Sequence, residues 1–279
     1  MARTRRTSKS TGFIDENKIK FLYPCTMISI QAIKRVKSLQ QKKFREEENC
    51  FVAETPKIVE EILSSNAYSV ETVYALKSWI DANWKRFARH SFEEISQKEL
   101  ERISGLQTPN QVLAVIKKTD TSINFETIFS DTNLILDDIR DPGNLGTILR
   151  IADWFGIKNV ICSNESVEYT NPKCVQASMG SFLRVAVHYG DLSEILSKKP
   201  ENMPIYGSFM DGENIYQTEL NEKSCIVIGN EAHGISKSLE ILITKKIHIP
   251  SFSAEKNHAE SLNASIATAI FCSELKRRF

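Results

Sequence analysis

Apolar residues follow first a helical spacing and then short strand-like runs in the first part of this chain of 279 residues. Between positions 29 and 41 they recur every three residues among lysines, which predicts a basic amphipathic helix. Apolar runs at 50–53, 72–76 and 111–116 predict strands, and Thr55-Pro56 predicts the start of a helix over 55–63. We therefore expect a small α/β domain here.

A more regular alternation of strands and helices follows a polar stretch at 117–122. We predict strands at 133–137, 159–162, 183–188, 205–209, 225–229 and 247–249, separated mostly by helices, as crossovers in a parallel sheet require. The expected division is a basic, disordered tail at 1–26, a smaller domain at 27–118, a linker at 119–131 and a second α/β domain at 132–279.

The composition is that of an ordinary globular protein, with 41% hydrophobic and 25% charged residues. Polar residues interrupt the most apolar helix, near the C-terminus, so we expect no membrane span. The six cysteines form no Cys-x-x-Cys pair and no cluster with histidines at zinc spacing. We expect them to be reduced and structural, which indicates no metal and, by default, a cytoplasmic location.

Basic residues are concentrated near the N-terminus although the net charge is only +1. Such a stretch can follow the phosphates of a nucleic acid, or it can be a solvated tail followed by an ordinary charged helix face. Folded-looking patterning begins near Met27, so either Met1 or Met27 can be the natural start. Up to position 45, Asp15 and Glu16 oppose the following lysines and arginines: Arg3, Arg5, Arg6, Lys9, Lys18, Lys20, Lys34, Arg35, Lys37, Lys42, Lys43 and Arg45.

The first of three motifs is a strand, a tight turn and a helix over 134–156. Pro142 and Gly143 shape the turn, and Gly143 and Gly146 leave room for a backbone or a ligand to approach closely. Arg150 lies one helical turn after Gly146, aimed at whatever enters that gap. The alternative for Arg150 is a surface ion pair with Asp153. The glycine spacing is not G-x-G-x-x-G, which argues against a Rossmann dinucleotide site.

The second motif is a buried strand that ends in a loop with Gly229 and Gly234. Ligands collect at the carboxyl ends of parallel strands, so we expect this loop to form one wall of a cofactor site. Glu231 is the charged member of the loop. Its alternative role is to cap the next helix.

The third motif, Ile247-His-Ile-Pro250, precedes a polar loop and a further helix. We expect Ser261 to cap that helix and Asn263 to lie in its first turn. Capping does not exclude a role in a site, because a helix N-terminus presents free N–H groups to a carboxylate or a phosphate. The apolar residues that form one stripe of this helix are Leu262, Ile266 and Ile270.

These three motifs, in this order and spacing, resemble those of the SpoU (TrmH-like) branch of the SPOUT RNA 2′-O-ribose methyltransferases, from about residue 132 to the end. The segment 28–117, with Leu39-Gln-Gln-Lys-Lys-Phe-Arg and Leu106-Gln-Thr-Pro-Asn, is similar to the L30e-type substrate-binding domain of the ribosomal RNA members. The resemblance implies an α/β fold in which the C-terminal parallel sheet contains a deep trefoil knot and the smaller N-terminal domain is L30e-like. It also implies a homodimer formed by the C-terminal domain, and S-adenosyl-L-methionine (SAM) bound in the knot as the methyl donor.

Site residues follow from the resemblance, motif by motif. The loop at 251–260 is longer than the family's usual glycine-containing loop, which leaves the local cofactor contacts open, and His258 is interpreted as a loop residue rather than a base. The residues that frame the cofactor, mainly with backbone atoms, are Gly229, Ile249 and Leu262. The residues with implied catalytic roles are Asn144, Arg150, Glu231, Ser261 and Asn263.

The expected function is SAM-dependent methyl transfer to a ribose 2′-hydroxyl, with 23S ribosomal RNA as the favoured substrate because of the front domain. The alternatives are a tRNA substrate and a non-catalytic protein that binds structured RNA during assembly. The sulfonium methyl is already activated, so alignment should supply most of the rate. Arg150 either deprotonates the hydroxyl with help from an RNA phosphate or binds that phosphate and stabilises the forming alkoxide.

Overall fold

The computed structural model describes residues 27–119, 122–253 and 261–279. The predictions for the tail at 1–26 and for His258 concern residues outside these ranges. The described chain forms one sheet of four strands followed by one sheet of six strands. In the described residues, no helix has the length and apolar character needed to cross a membrane.

The first unit contains the helices α1 (Ile30–Ser38), α2 (Lys42–Glu47), α3 (Pro56–Ser64), α4 (Lys77–Asn83) and α5 (Gln97–Ile103) and the strands β1 (Cys50–Glu54), β2 (Val70–Ala75), β3 (Phe92–Glu94) and β4 (Val112–Lys117). The strand order is β1-β4-β2-β3; β4 is antiparallel to both of its neighbours, and β3 is parallel to β2. Alternate residues of β1 point to opposite faces. Val52 packs with Val36 of α1, and Phe51 packs in the cluster that contains Ile58 of α3, so helices cover both faces of this sheet.

The second unit contains the strands β5 (Asn133–Leu136), β6 (Asn159–Ser163), β7 (Ala186–Gly190), β8 (Ile205–Asn214), β9 (Cys225–Ile228) and β10 (Lys245–His248) and the helices α6 (Pro142–Trp154), α7 (Pro172–Ser178), α8 (Leu192–Ser197), α9 (Lys237–Glu240) and α10 (Ala264–Lys276). All neighbouring strands are parallel, in the order β10-β8-β9-β5-β6-β7. The central strands β5 and β9 are buried at every position, which explains their continuous apolar runs. The carboxyl ends of β5, β9 and β10 therefore face the same edge of the sheet, where chain order switches direction.

The predicted fold class, a mixed α/β chain with a parallel sheet and a smaller second sheet, is confirmed. Three strand predictions need correction: Leu183 lies in a 3-10 turn before β7, β8 continues past Phe209 to Asn214, and β10 begins at Lys245 and ends before Ile249. The elements α2, α4, α5 and β3 are not among the predictions, because none has more than seven residues and so short a stretch shows no clear periodicity. The trefoil knot stays a prediction.

An aromatic cluster packs the two units against each other. The ring of Phe51 lies edge-on to Tyr68, Tyr169 and Phe182, with ring centroids 5.7, 6.4 and 6.0 Å away. Beside it, Glu61 of the first unit accepts a hydrogen bond from Arg184 of the second at 3.0 Å. The junction therefore has an apolar centre with a polar contact at its rim.

Arg45 does not belong to an RNA-facing basic surface. Its side chain lies at the same junction, is 1% exposed, and donates hydrogen bonds to Glu168 and to the carbonyl oxygen of Leu39. Arg35 likewise donates to Glu48 and Glu71. The expectation that these two arginines can follow phosphates is wrong, because acidic residues that follow position 45 in the sequence already pair with them.

The cysteines in the described residues are buried and free, as expected for structural thiols. Burial raises the pKa of the Cys162 thiol, which keeps it neutral and unreactive. Among the described residues, no group of three or more His, Cys, Asp or Glu side chains is placed to hold a metal ion.

Candidate active site

Loops after β5, β9 and β10 meet at the carboxyl edge of the larger sheet. The loop after β9 folds back on itself through a bridge between Asn230 and Gly234. A Cβ atom at Gly229 would lie 2.3 Å from the carbonyl carbon of Gly234, and Gly234 has a φ of +69°, in the left-handed region. Both glycines are thus required by the turn, and they leave backbone rather than side chains facing the edge.

Two aspartates directly after β5 tie these loops together. Asp137 is buried and accepts a hydrogen bond from the backbone N–H of Ser236 at 2.7 Å. The carbonyl oxygen of Asp138 accepts one from Nδ2 of Asn230 at 2.9 Å. Sequence reasoning missed Asp137, Asp138 and Asn230 as organising residues. Acidic residues that directly follow a buried parallel strand are the signal that points to them.

A chain of three side chains joins the three motifs. Nδ2 of Asn263 donates to Oδ1 of Asn144 at 2.9 Å, and Nδ2 of Asn144 donates to Oε1 of Glu231 at 2.5 Å. Oδ1 of Asn263 is occupied by the N–H groups of Ser265 and Ile266. The helix therefore fixes the orientation of Asn263, and Asn263 in turn orients Asn144 toward the carboxylate.

The capping predictions for Ser261 and Asn263 were in the wrong order. Asn263 is the N-cap of α10, and Ser261 lies exposed two residues before it. Asparagine caps as well as serine, so residue type alone does not choose between them. Glu231 is not a cap either, since the N-cap of α9 is Ser236.

The apolar stripe predicted for the last helix does not face the core. Leu262 precedes α10 and Ile266 is 51% exposed. The buried side of α10 instead contains Ala267 and Phe271. Leu262 and Ile266 therefore form an exposed apolar surface at the start of α10.

The side chain of Arg150 lies exposed on α6 and makes no hydrogen bond or ion pair with any other described residue. The alternative of an ion pair with Asp153 is wrong, because Asp153 pairs with Arg184 at 2.9 Å and also accepts from Ser181. Arg150 follows Asn144 by six positions, which separates them by about 9 Å along the helix axis. The structure therefore places Arg150 on the same helix as Asn144 but outside the hydrogen-bonded chain.

Gly146 serves helix packing rather than a ligand. A Cβ atom there would lie 2.6 Å from Cβ of Ala177 and 2.7 Å from the carbonyl oxygen of Cys174. Both atoms belong to α7, which fills the gap that the sequence suggested. The expectation that Arg150 faces a ligand entering this gap is therefore wrong.

Two adjoining cavities of about 660 and 320 Å³ open between the loops. Ile249 lines the larger one, Gly229 and Glu231 line the smaller one, and Leu262 lines both. Nδ1 of His248, in the wall of the larger cavity, is buried without a hydrogen-bond partner in the described structure. The walls combine apolar side chains with a few polar groups, as in sites for small organic cofactors. Both cavities share Ser208, Phe209, Met210, Ser261, Leu262 and Ala267.

A model of the SpoU rRNA Methylase family matches residues 131–273, which is more than half of the chain and contains all three motif loops. The chain belongs to this family. A model of the MRM3-like substrate binding domain matches residues 31–114 of the same SpoU protein.

Individual relatives agree with this assignment. The SpoU chain is 26% identical over 248 residues to the 23S rRNA (guanosine(2553)-2′-O)-methyltransferase RlmP of Bacillus subtilis (strain 168), covering 88% of this chain and 96% of the relative. It is 34% identical to a TrmH-family RNA methyltransferase structure from Porphyromonas gingivalis, with a TM-score of 0.81 over 91% of this chain and 100% of that one. An AdoMet-bound rRNA methyltransferase from Sinorhizobium meliloti, 24% identical, has the same fold, with a TM-score of 0.80 over 91% of this chain and 97% of that one.

Membership of the SpoU family confirms the prediction of a SAM-dependent RNA methyltransferase with a separate substrate-binding domain. The relatives fit ribosomal RNA as the substrate class and do not fit a non-catalytic assembly factor. The individual site residues stay predictions, which the geometry above constrains.

Proposed function

We propose that this protein transfers a methyl group from SAM to a ribose 2′-hydroxyl of large-subunit ribosomal RNA. The observation that carries the proposal is the chain from Asn263 through Asn144 to Glu231, which closes three loops around the cofactor-sized cavities. The reaction named for the Bacillus subtilis relative, which aligns with most of this chain, supports the same substrate.

The cavity walls fit SAM. Gly229, Ile249 and Leu262 line the cavities together with the apolar side chains of Phe209 and Met210, a setting that suits an adenine ring and a methionine chain. When bound, SAM supplies a methyl group on a sulfonium, which is already an activated donor.

Arg150 acts on the RNA rather than on the cofactor. An arginine side chain remains protonated in proteins and cannot accept a proton, so we assign it the electrostatic role rather than that of general base. Its exposed guanidinium binds the phosphate next to the target ribose and stabilises the negative charge that forms on the 2′-oxygen. The hydroxyl proton leaves to that phosphate or to water.

Asn144, Glu231, Ser261 and Asn263 form the wall against which the ribose is placed. Glu231 holds the amide of Asn144, and Asn263 holds it from the other side. Ser261 lines both cavities, which supports a role for it beside the bound cofactor. Correct placement of the 2′-oxygen behind the methyl carbon is the main catalytic task of this wall.

The wider organisation follows the same division of labour. We propose that residues 27–118 find the RNA, that 119–131 link the domains and that 132–279 carry out the transfer. A homodimer through the C-terminal domain is supported by exposed apolar side chains on contacting helices, with Trp154 on α6 85% exposed and Ile266 on α10 51% exposed. A cytoplasmic location is part of the same proposal.

The test is methyl transfer from tritiated SAM to unmodified large-subunit ribosomal RNA, with bulk tRNA as the competing substrate. We expect label in the ribosomal RNA alone, and label in tRNA alone would overturn the assigned substrate.

Arg150→Ala should abolish transfer and leave SAM affinity, measured by calorimetry, within about twofold of the parent protein. SAM affinity lost in parallel would overturn the role of Arg150. Lys158→Ala, which removes an exposed cation elsewhere in the same domain, is the matched control.

A further inference from the structure

A groove of about 350 Å³ lies at the junction of the two units, outside the cofactor cavities. One wall comes from the turn between α1 and α2, and the other wall comes from the loops after β5 and β6. The groove exists only because the two units are packed together. The residues that line it are Gln40, Lys42, Arg45, Arg140, Glu165, Ser166, Val167, Glu168 and Asn171.

The groove and the active site are linked by one loop. Arg140 lies in the loop between β5 and α6, and Asn144 lies in the first turn of α6. Asp138 of this loop accepts a hydrogen bond from Nε of Arg140 at 2.7 Å, and its carbonyl oxygen binds Asn230 of the loop after β9. One loop therefore forms a wall of both the groove and the site.

Two cations of the groove have charge to offer a ligand. The side chain of Arg140 is 69% exposed, and its two terminal nitrogens make no hydrogen bond with other described residues. The side chain of Lys42 is 61% exposed and lies 3.7 Å from Glu46, a surface pair worth less than about 1 kcal/mol. Arg45, by contrast, already forms an ion pair with Glu168, so its charge is not available to a ligand.

Two nitrogens of groove-lining residues lack a hydrogen-bond partner in the described structure, Nε2 of Gln40 and Nε of Arg45. Both atoms are buried, and the amide of Gln40 packs against Gly105, so neither nitrogen is open to a ligand. Glu165 is an exposed acidic residue of the groove and opposes the two cations.

We propose that this groove holds the RNA strand adjoining the methylated nucleotide, with Lys42 and Arg140 contacting phosphates. The inference rests on the proposed RNA methylation and adds the path by which the strand reaches the site. The buried pair of Arg45 and Glu168 and the aromatic cluster fix the two walls. Two cations from different units are thereby held on the walls of one groove, where each can contact a phosphate of the strand.

The test measures binding and methylation of unmodified large-subunit ribosomal RNA by the full-length protein at several salt concentrations. Lys42→Ala and Arg140→Gln should each weaken RNA binding by about threefold to tenfold, and each should lower the slope of log affinity against log salt by about 0.7 to 1. Glu165→Gln should strengthen binding, because it removes a charge that repels phosphate. SAM affinity should stay unchanged in all three variants.

Two further lysines serve for comparison. Lys77→Ala removes an exposed lysine with an i,i+4 acidic partner, as at Lys42, but away from the groove, and should leave RNA binding and its salt slope unchanged. Lys43 neighbours Lys42 without lining the groove, so Lys43→Ala should weaken binding less than Lys42→Ala. Equal losses of RNA affinity for Lys42→Ala and Lys43→Ala would overturn the proposal that the groove binds RNA. A Glu165→Gln variant that binds RNA more weakly than the parent would overturn it as well. A parent protein that methylates ribosomal RNA while Lys42→Ala and Arg140→Gln behave as the parent refutes this inference alone, whereas a parent that methylates no RNA refutes the proposed function.

Discussion

Asn263→Asp separates the two roles of the residue that begins α10. Oδ1 of Asn263 caps the helix by accepting from Ser265 and Ile266, while its Nδ2 donates to Asn144. Aspartate caps a helix as well as asparagine does, so the stability of the helix is retained. The side chain of aspartate has no N–H group, so the variant loses only the hydrogen bond to Asn144.

The cost follows from counting donors in the chain. Asn144 has one side-chain amide, whose nitrogen donates to Glu231 in the parent protein. In the variant, this amide lies between two carboxylates, that of Glu231 and that of the new aspartate. Whichever way its amide turns, one carboxylate opposes an oxygen instead of a donor. Losing this hydrogen bond between two neutral amides and leaving one oxygen opposite a carboxylate costs about 1–2 kcal/mol, which corresponds to about a 5- to 30-fold fall in rate.

The assay is single-turnover methylation of ribosomal RNA, with the melting temperature measured beside it. We expect the fall in rate with a melting temperature within about 2 °C of the parent protein. Asn124→Asp is the control, because Asn124 also accepts a local backbone N–H, from Glu126, but lies outside the site. A variant with the parent rate would refute the reasoning, and a loss of stability in step with the loss of rate would show that the cap alone matters.

Three further predictions concern stability. Thr55 has φ +82° and ψ 142° and its side chain makes no capping bond, so Thr55→Gly should raise the free energy of unfolding by about 1 kcal/mol in urea titrations; a lower value would contradict the strain. Gly146→Ala should lower the free energy of unfolding by about 1–3 kcal/mol, since the new methyl group would meet Ala177. An unchanged free energy of unfolding would show that α6 and α7 can move apart at no cost. Burial acts to raise the pKa of Glu168, but the hydrogen bonds from Arg45 and Thr170 and the charges of Arg45 and Lys118 together outweigh this, and the pKa lies below the ordinary value. The ionised carboxylate therefore stabilises the fold above the unfolded pKa of about 4.3, and this contribution is lost as pH falls through the folded pKa. Glu168→Gln should be less stable than the parent at pH 7, with a difference that shrinks toward pH 3; a constant difference would contradict the sign.

The centre of the larger sheet is predictable from the sequence because its central strands are buried on both faces. Strands β5 and β9 read as continuous apolar runs, and the polar loops after them mark their carboxyl ends. Parallel pairing then brings the three motif loops to one edge. The proximity of Asn144, Glu231 and Asn263 follows from this rule, although their hydrogen bonds do not.

What the sequence could not show depends on contacts between distant segments. The burial of Arg45 is decided by Glu168, which lies more than a hundred residues further along the chain. The role of Gly146 is decided by Ala177 on the next helix. Local spacing suggested a free cation in the first case and a ligand gap in the second, because packing partners are invisible in one segment.

The most direct test of the central claim identifies the methylated nucleoside itself. Unmodified large-subunit ribosomal RNA is incubated with the protein and SAM, digested to nucleosides and analysed by mass spectrometry. The account predicts one 2′-O-methylated nucleoside, formed by the parent protein and absent with Arg150→Ala. A methyl group on a base, or a 2′-O-methyl yield unchanged by Arg150→Ala, would contradict it.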